Sequence, residues 1–453
     1  EPFLQAAEAA LQMPGRFASG ENRSQLAGQL AVIRSQRAYR QGQPEEGMHF
    51  AREALRTLSP LQVSLRSFVG LNLGDRYLRL GEADAADVPL SEAHNAMRAV
   101  HHPFIRLQIA ESLAELRWLQ GRLRAAAEVS REALKLVGQH GLDSLAAGLH
   151  ERLGLVYLEW HALDQAAQQA EAMARVTRRN NDAAGEAQAG LLGARILQAR
   201  GEGAAAEEAI NEACRQLAPL NDEYLDRWLG AWLARFWLTA GQVERARAAL
   251  EQASGRASRT EFEAQLLARV RLAEGHAPEA LALVKRVRAV AEQAGRHGPA
   301  LRARVTQALA HEAQGQSSQA LRVLEGALRA AAPEGFVRIF LDDGAPAVRL
   351  LGRLSQAHPQ RGYADRLLQL AGAGEAASAV EIAPSVPGAV EPLTGREREV
   401  LQLLAAGLSN QEIAVRLVVA VDTVRWYSKQ IYRKLAVHNR TQAVLRAQAL
   451  GLA

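Results

Sequence analysis

LAELRWLQGRLRAAAEVSREA (residues 113–133) and LGLVYLEWHALDQAAQQAEAM (residues 153–173) stand at the same phase of one repeating pattern. In the first, Leu113, Leu116, Trp118 and Leu119 precede a turn mark at Gly121; in the second, Leu153, Val156, Tyr157 and Trp160 precede His161. That apolar spacing is helical. The mark recurs at Gly42, Gly81, Gly121, His161, Gly201, Gly241, Gly275 and Gly315, one step being shorter than the rest. Five residues past it stand Gly47, Ala86, Ala126, Ala166, Ala206, Ala246, Ala280 and Ala320. Small side chains at a fixed phase let two helices approach closely, so the period reads as stacked helix–turn–helix units.

Prolines are sparse through this region and no strand-like alternation competes. Residues 1–332 are therefore expected to form eight helix pairs of an all-α, tetratricopeptide-like, right-handed superhelical solenoid, a sensor domain with a concave surface for a ligand or protein segment. The period stops at Pro333-Glu334-Gly335. Residues 333–371 read as a helical capping or junction segment, with helices near 345–355 and 363–371, and Asp342-Asp343 reads as a turn. Residues 372–392 are rich in Gly, Ala, Ser and Pro and read as a flexible linker to a last domain at 393–453.

Charge separates these parts. The chain has 54 Lys and Arg against 49 Asp and Glu, a net +5. From Leu393 onward there are nine basic residues (Arg396, Arg398, Arg416, Arg425, Lys429, Arg433, Lys434, Arg440, Arg446) and four acidic ones, so everything before Leu393 sums to zero. A neutral body with a basic end suggests a nucleic-acid contact there. A single cysteine, Cys214, excludes a disulfide framework or cysteine-rich metal site and fits a reducing cytoplasm. No apolar run approaches the roughly 18–20 residues of a membrane helix, so no membrane contact is expected. The first residue is Glu1 and not Met, which reads as a piece of something longer.

Within the basic end, Thr394 with Glu397 and Ser409 with Glu412 are spaced as capping boxes. Gly407 closes the first helix, Gln411–Leu417 forms a short second, a third spans about 421–435 and a fourth about 441–450. The third has an apolar side (Val421, Val424, Ile431, Leu435) and a basic, aromatic side (Arg425, Trp426, Lys429, Arg433, Lys434). A short scaffold helix, tight turn and cationic second helix is how a helix-turn-helix presents a recognition helix to the major groove.

Residues 393–397 (LTGRE), 407–414 (GLSNQEIA) and 423–429 (TVRWYSK) resemble the LuxR-type helix-turn-helix domain, which has four helices. The continuation 430–435 (QIYRKL), Val437-His438 and 440–443 (RTQA) narrows the resemblance to the MalT-like branch. Tyr157–Trp160, Leu163–Ala166 and residues 333–343 look like the same branch. The resemblance implies a transcriptional regulator, an activator, binding double-stranded promoter DNA, with RNA polymerase as partner and assembly as a homo-oligomer on DNA. It also implies that Arg425, Trp426 and Lys429 face base edges, where an Arg or Lys reading guanine is worth about 1–3 kcal/mol. Ser409, Asn410, Thr423, Arg433, Lys434 and Arg440 become phosphate candidates. Family members usually carry Ser or Thr where Ala420 stands and Gly where Ala436 stands; the first departure gives up roughly 0.5–2 kcal/mol of capping. The competing reading is an interaction scaffold whose C-terminal bundle binds protein, not DNA.

MalT-like regulators also carry an N-terminal ATPase domain. None of the four lysines sits in a P-loop, so no cofactor is expected in this chain, and ATP would act through a domain upstream of Glu1. No catalytic constellation appears, and no enzyme activity is expected. His150-Glu151 is followed by Gly154 where a zinc-protease helix needs histidine, and His101-His102 reads as a loop pair, so no metal site is expected. The candidate ligand pocket is the aromatic run Tyr224, Trp228, Trp232 and Phe236, followed by Trp237. Its four-residue spacing makes a slowly drifting stripe that would line an apolar pocket for a small inducer or regulatory protein; repeat packing is the alternative.

Overall fold

All eight turn marks adopt left-handed backbone: Gly42, Gly81, Gly121, Gly201, Gly241, Gly275 and Gly315 have φ between 71° and 86°, and His161 has φ 58°. The reason is local. At Gly121 the helix ends by letting the next amide reach back, Arg122 N–H donating to Arg117 O at 2.8 Å; beyond His161, Ala162 N–H donates to Tyr157 O at 2.8 Å. This closure satisfies carbonyls that a helix end leaves orphaned, and it requires positive φ at the mark.

The computed structural model describes residues 9, 20–220, 222–254, 260–357, 361–378, 395–406 and 408–417, with residues 424, 428, 431, 437, 440, 442 and 443. Eight helix pairs follow in order: α1 (Gly20–Arg40) with α2 (Pro44–Thr57), α3 (Val63–Leu80) with α4 (Ala83–Met97), α5 (Pro103–Leu119) with α6 (Leu123–His140), and α7 (Ala147–Glu159) with α8 (Leu163–Arg179). Then come α9 (Ala183–Arg200) with α10 (Gly203–Leu217), α11 (Glu223–Thr239) with α12 (Val243–Ser254), α13 (Glu261–Ala273) with α14 (Ala277–Gln293), and α15 (His297–Ala313) with α16 (Ser317–Ala331). Among the described residues there is no strand, and no helix is long and apolar enough to cross a membrane. The fold is the all-α, tetratricopeptide-like solenoid that the period predicts.

The small residues at the fixed phase are where the paired helices touch. Ala86, Ala126, Ala166, Ala206, Ala246, Ala280 and Ala320 are each 0% exposed. At Gly47 even a methyl group would come within 2.4 Å of the Tyr39 ring. A larger side chain at these positions would overpack the contact at about 1–3 kcal/mol. Pro89 lies inside α4, where it removes one helical hydrogen bond, yet it is buried and the helix continues to Met97.

After the pairs come α17 (Arg338–Leu341), α18 (Gly344–Ala357) and α19 (Arg361–Ser378). The last continues past Gly372, where composition starts the linker. The segment before α18 returns to earlier repeats: Arg124 N–H donates to Glu334 Oε2 at 2.9 Å, and Val337 N–H donates to Glu159 O at 3.0 Å. Farther along the same unit, Ala83 and Asp84 both donate amides to Ala294 O, at 2.9 and 3.3 Å. Gly121 and Gly298 approach so closely that a Cβ on Gly121 would lie 3.1 Å from Gly298 N. Early and late repeats therefore touch, and the solenoid closes around an interior.

The chain divides into two units, Glu1–Glu381 and Ile382–Ala453. In the second, α20 (Gly395–Ala405) and α21 (Asn410–Leu417) are the described helices. Val400, Leu401, Leu404, Ile413, Ala414, Val424, Ile431 and Ala443 form its core.

Candidate nucleic-acid interface and interior cavity

The start of α21 is built by the capping box expected there. Ser409 N–H donates to Glu412 Oε2 at 2.7 Å, and Glu412 N–H donates to Ser409 Oγ at 3.3 Å. The Ser409 amide, then its hydroxyl, hold the Glu412 carboxyl below its ordinary range. Asn410 opens the helix. Val424, Ser428 and Ile431 are helical and buried, with Ser428 Oγ donating to Val424 O at 2.9 Å, so two residues of the expected apolar side reach the core. The other DNA candidates, Thr423, Arg425, Trp426, Lys429, Arg433 and Lys434, lie outside the described residues, as does Thr394. Arg440 is described: its Nη2 donates to Leu404 O in the last turn of α20 and to Leu408 O just past it, both at 2.8 Å. Cations at that end of a helix also favour its dipole.

In the repeat unit an interior cavity of about 510 Å³ lies among α5, α7, α9, α11, α13 and α15. Trp118, Leu155, Trp228, Trp232, Phe262, Val287 and Phe336 supply apolar wall; Arg152, Arg195, Arg235, Arg296 and Arg302, with Glu115, Glu151 and Glu261, supply charge. The Trp228 and Trp232 ring centroids are 6.0 Å apart, and Trp232 lies 5.6 Å from Phe262. So Trp228 and Trp232 of the expected stripe line this cavity. Phe236 does not: it is 4% exposed and packs edge-on against Trp237 in the repeat core. Each four-residue step rotates about 40° around the helix, enough to carry the stripe from cavity to core. The Tyr224 side chain lies outside the described residues. A second cavity of about 540 Å³ opens between α11, α13, α15 and α18, but its buried arginine, Arg269, already pairs with Asp343.

The sequence reading missed the charges beneath the aromatic wall. Arg195, Arg235 and Arg269 each stand six residues before their turn marks, Gly201, Gly241 and Gly275, so consecutive repeats present arginines at one phase. Asp342 and Asp343 meet two of them. Arg235 Nη2 lies 2.9 Å from Asp342 Oδ2, and Arg269 Nε lies 2.6 Å from Asp343 Oδ1. Arg338 also pairs with Asp342, at 2.6 Å. The expected turn is thus a backbone turn whose two side chains anchor a buried ionic network. Burial alone would raise the Asp342 carboxyl; the guanidinium groups of Arg338, Arg235, Arg195 and Arg302 instead hold it far below its usual range. Burial pushes Arg235 well below the ordinary arginine value and Arg195 down to about 10. Nearby, Glu159 is 1% exposed, accepts from Ile339 N–H at 2.7 Å and faces Arg302 at 3.5 Å. The signal was available: an arginine inside an apolar helix, repeated at the period.

Residues 28–357 match the family described as MalT-like TPR region, and residues 391–447 match the family of bacterial regulatory proteins, luxR family. The chain is similar to the HTH-type transcriptional regulator MalT of Vibrio campbellii, 27% identical over 451 residues, covering 93% of this chain and 49% of that protein. The MalT of Serratia proteamaculans is 26% identical over 466 residues, covering 94% of this chain and 49% of its own length. The chain spans about half the length of the curated relatives it matches. Among solved structures, a Rap protein complexed with competence and sporulation factor aligns with TM-score 0.52 at 13% identity, covering 80% of this chain and 99% of that one. The apo form of RapI aligns with TM-score 0.50 at 11% identity, covering 59% and 98%. These two likenesses concern the repeat fold.

Proposed function

The chain belongs to the MalT-like branch of the LuxR family, and on that premise we propose that it is a sequence-specific DNA-binding transcriptional activator controlled at its helical-repeat domain. The observation that carries this reading is the luxR-family match at 391–447, falling on the part of the chain that holds the whole +5 charge excess. A basic recognition helix neutralises phosphates and reads bases; Arg425, Trp426 and Lys429 are the base readers in this reading. The interior cavity, with its three tryptophans and five arginines, is where a small inducer or a protein segment acts. Its occupancy biases assembly on promoter DNA, where RNA polymerase is the partner, in the cytoplasm. ATP acts through a domain outside this chain.

The test is fluorescence anisotropy of the full chain on a duplex selected from genomic fragments. The log of affinity should fall linearly with the log of salt, by about 0.9 per neutralised phosphate. Lys429→Ala should weaken cognate binding far more than Arg396→Ala at fixed salt. Equal losses would remove the recognition-helix assignment, and a salt-insensitive contact with a protein would favour the scaffold reading.

A further inference from the structure

Of the three arginines at one phase, Arg235 and Arg269 have carboxylates and Arg195 has none: among the described residues it makes no hydrogen bond or ion pair. Its guanidinium instead lies over Trp232, 5.0 Å from the ring centroid, in the wall of the 510 Å³ cavity. In the ionic network beside it, cations outnumber carboxylates. Arg195, Arg235, Arg302 and Arg338 share two carboxylates, Asp342 and Glu159. Arg195 is half-buried at the cavity wall, its nitrogens open to whatever fills that space, and the fork of a guanidinium matches a carboxylate in two parallel hydrogen bonds.

We infer that the cavity binds a small organic acid, its carboxylate seated on Arg195 and its flat apolar body against Trp228 and Trp232. This rests on the reading of the cavity as the control site. The volume is that of a small-molecule pocket, within the usual range of about 300–1,000 Å³. Glu115, Glu151 and Glu261 line the same space, which selects a monoanion over a polyanion such as a nucleotide.

The probes are two acid–amide pairs, indole-3-acetate with indole-3-acetamide and benzoate with benzamide, titrated into the full chain. Tryptophan fluorescence and melting temperature are the readouts. At least one acid should saturate and bind tenfold or more tighter than its amide. Arg195→Gln should weaken that acid at least tenfold, Arg195→Lys less, and the amide should be unaffected by either. Without ligand, Arg195→Gln should melt at or above the parent temperature, because it removes an unpaired cation; a large fall would mark Arg195 as structural and overturn the inference. Equal binding of acid and amide, both lost in Trp232→Ala, would leave a ligand cavity without charge selectivity: the inference falls and the control site stands. Failure of every probe to saturate, with salt-dependent duplex binding intact, overturns the inference and leaves the DNA-binding reading in place.

Discussion

The indole Nε1 of Trp160 donates a 2.7 Å hydrogen bond to the carbonyl of Glu334, far downstream in the chain. The same contact region holds Arg124 Nε on Pro333 O at 2.9 Å and Val337 N–H on Glu159 O. These bonds join the third and fourth helix pairs to the segment that follows the eighth, so cavity and solenoid share one closure.

Trp160→Phe keeps most of the packing and removes only the donor. The Glu334 carbonyl then loses its partner, and the expected cost is about 1–2 kcal/mol. Urea midpoints of the two proteins measure it; no change would mean that the closure is held elsewhere.

Asp342→Asn should be the most damaging single change near the cavity. It leaves Arg235 and Arg338 buried without their counter-charge, at about 3–5 kcal/mol. Adding Arg235→Met should recover part of the loss, since it removes one stranded cation. A double-mutant cycle in denaturant shows the coupling; additive losses would contradict it.

His161→Gly should stabilise. His161 holds φ 58° without being glycine, and its Nδ1 is buried without a hydrogen bond. Relief of the left-handed penalty is worth about 1 kcal/mol, seen as a rise in denaturation midpoint. A fall would mean that the imidazole's packing outweighs its strain.

Acid should unfasten a contact between repeats. Burial tends to raise the Asp87 carboxyl, but hydrogen bonds from Arg117, Gln120 and Ser91 hold it down at about 2. Its stabilisation is complete above the ordinary carboxylate value of about 3.9 and is lost as pH falls toward 2. With the Asp87 side chain 33% exposed, the pair is worth about 1 kcal/mol or less. The stability difference between parent and Arg117→Gln should be constant above pH 5 and shrink below pH 4. A pH-independent difference would dismiss the linkage.

Arg440→Ala should lower the melting temperature of the C-terminal unit by removing two bonds to Leu404 O and Leu408 O, and leave the salt dependence of duplex binding unchanged. A slope shallower by about 0.9 would instead assign Arg440 a phosphate contact.

Local conformation was legible wherever a residue's task is set by its chain neighbours. The turn marks had to take left-handed backbone because the next amide closes each helix, and Ser409 with Glu412 had to cap because each reaches the other's amide. Trp228 and Trp232 could be singled out by spacing, yet spacing alone could not separate them from Phe236, one step on and in the core.

The sequence by itself determined the eight helix pairs, the small-residue contacts between them and the concentration of charge from Leu393 onward. Each follows from periodicity or composition along the chain. Only the tertiary structure decided that Asp342 meets Arg235 and Asp343 meets Arg269, that Arg195 is left without a carboxylate, and that the solenoid closes through Trp160 and Glu334. Those depend on where the superhelix brings distant turns together. The small rotation between repeats accumulates into that meeting, and no single repeat contains it.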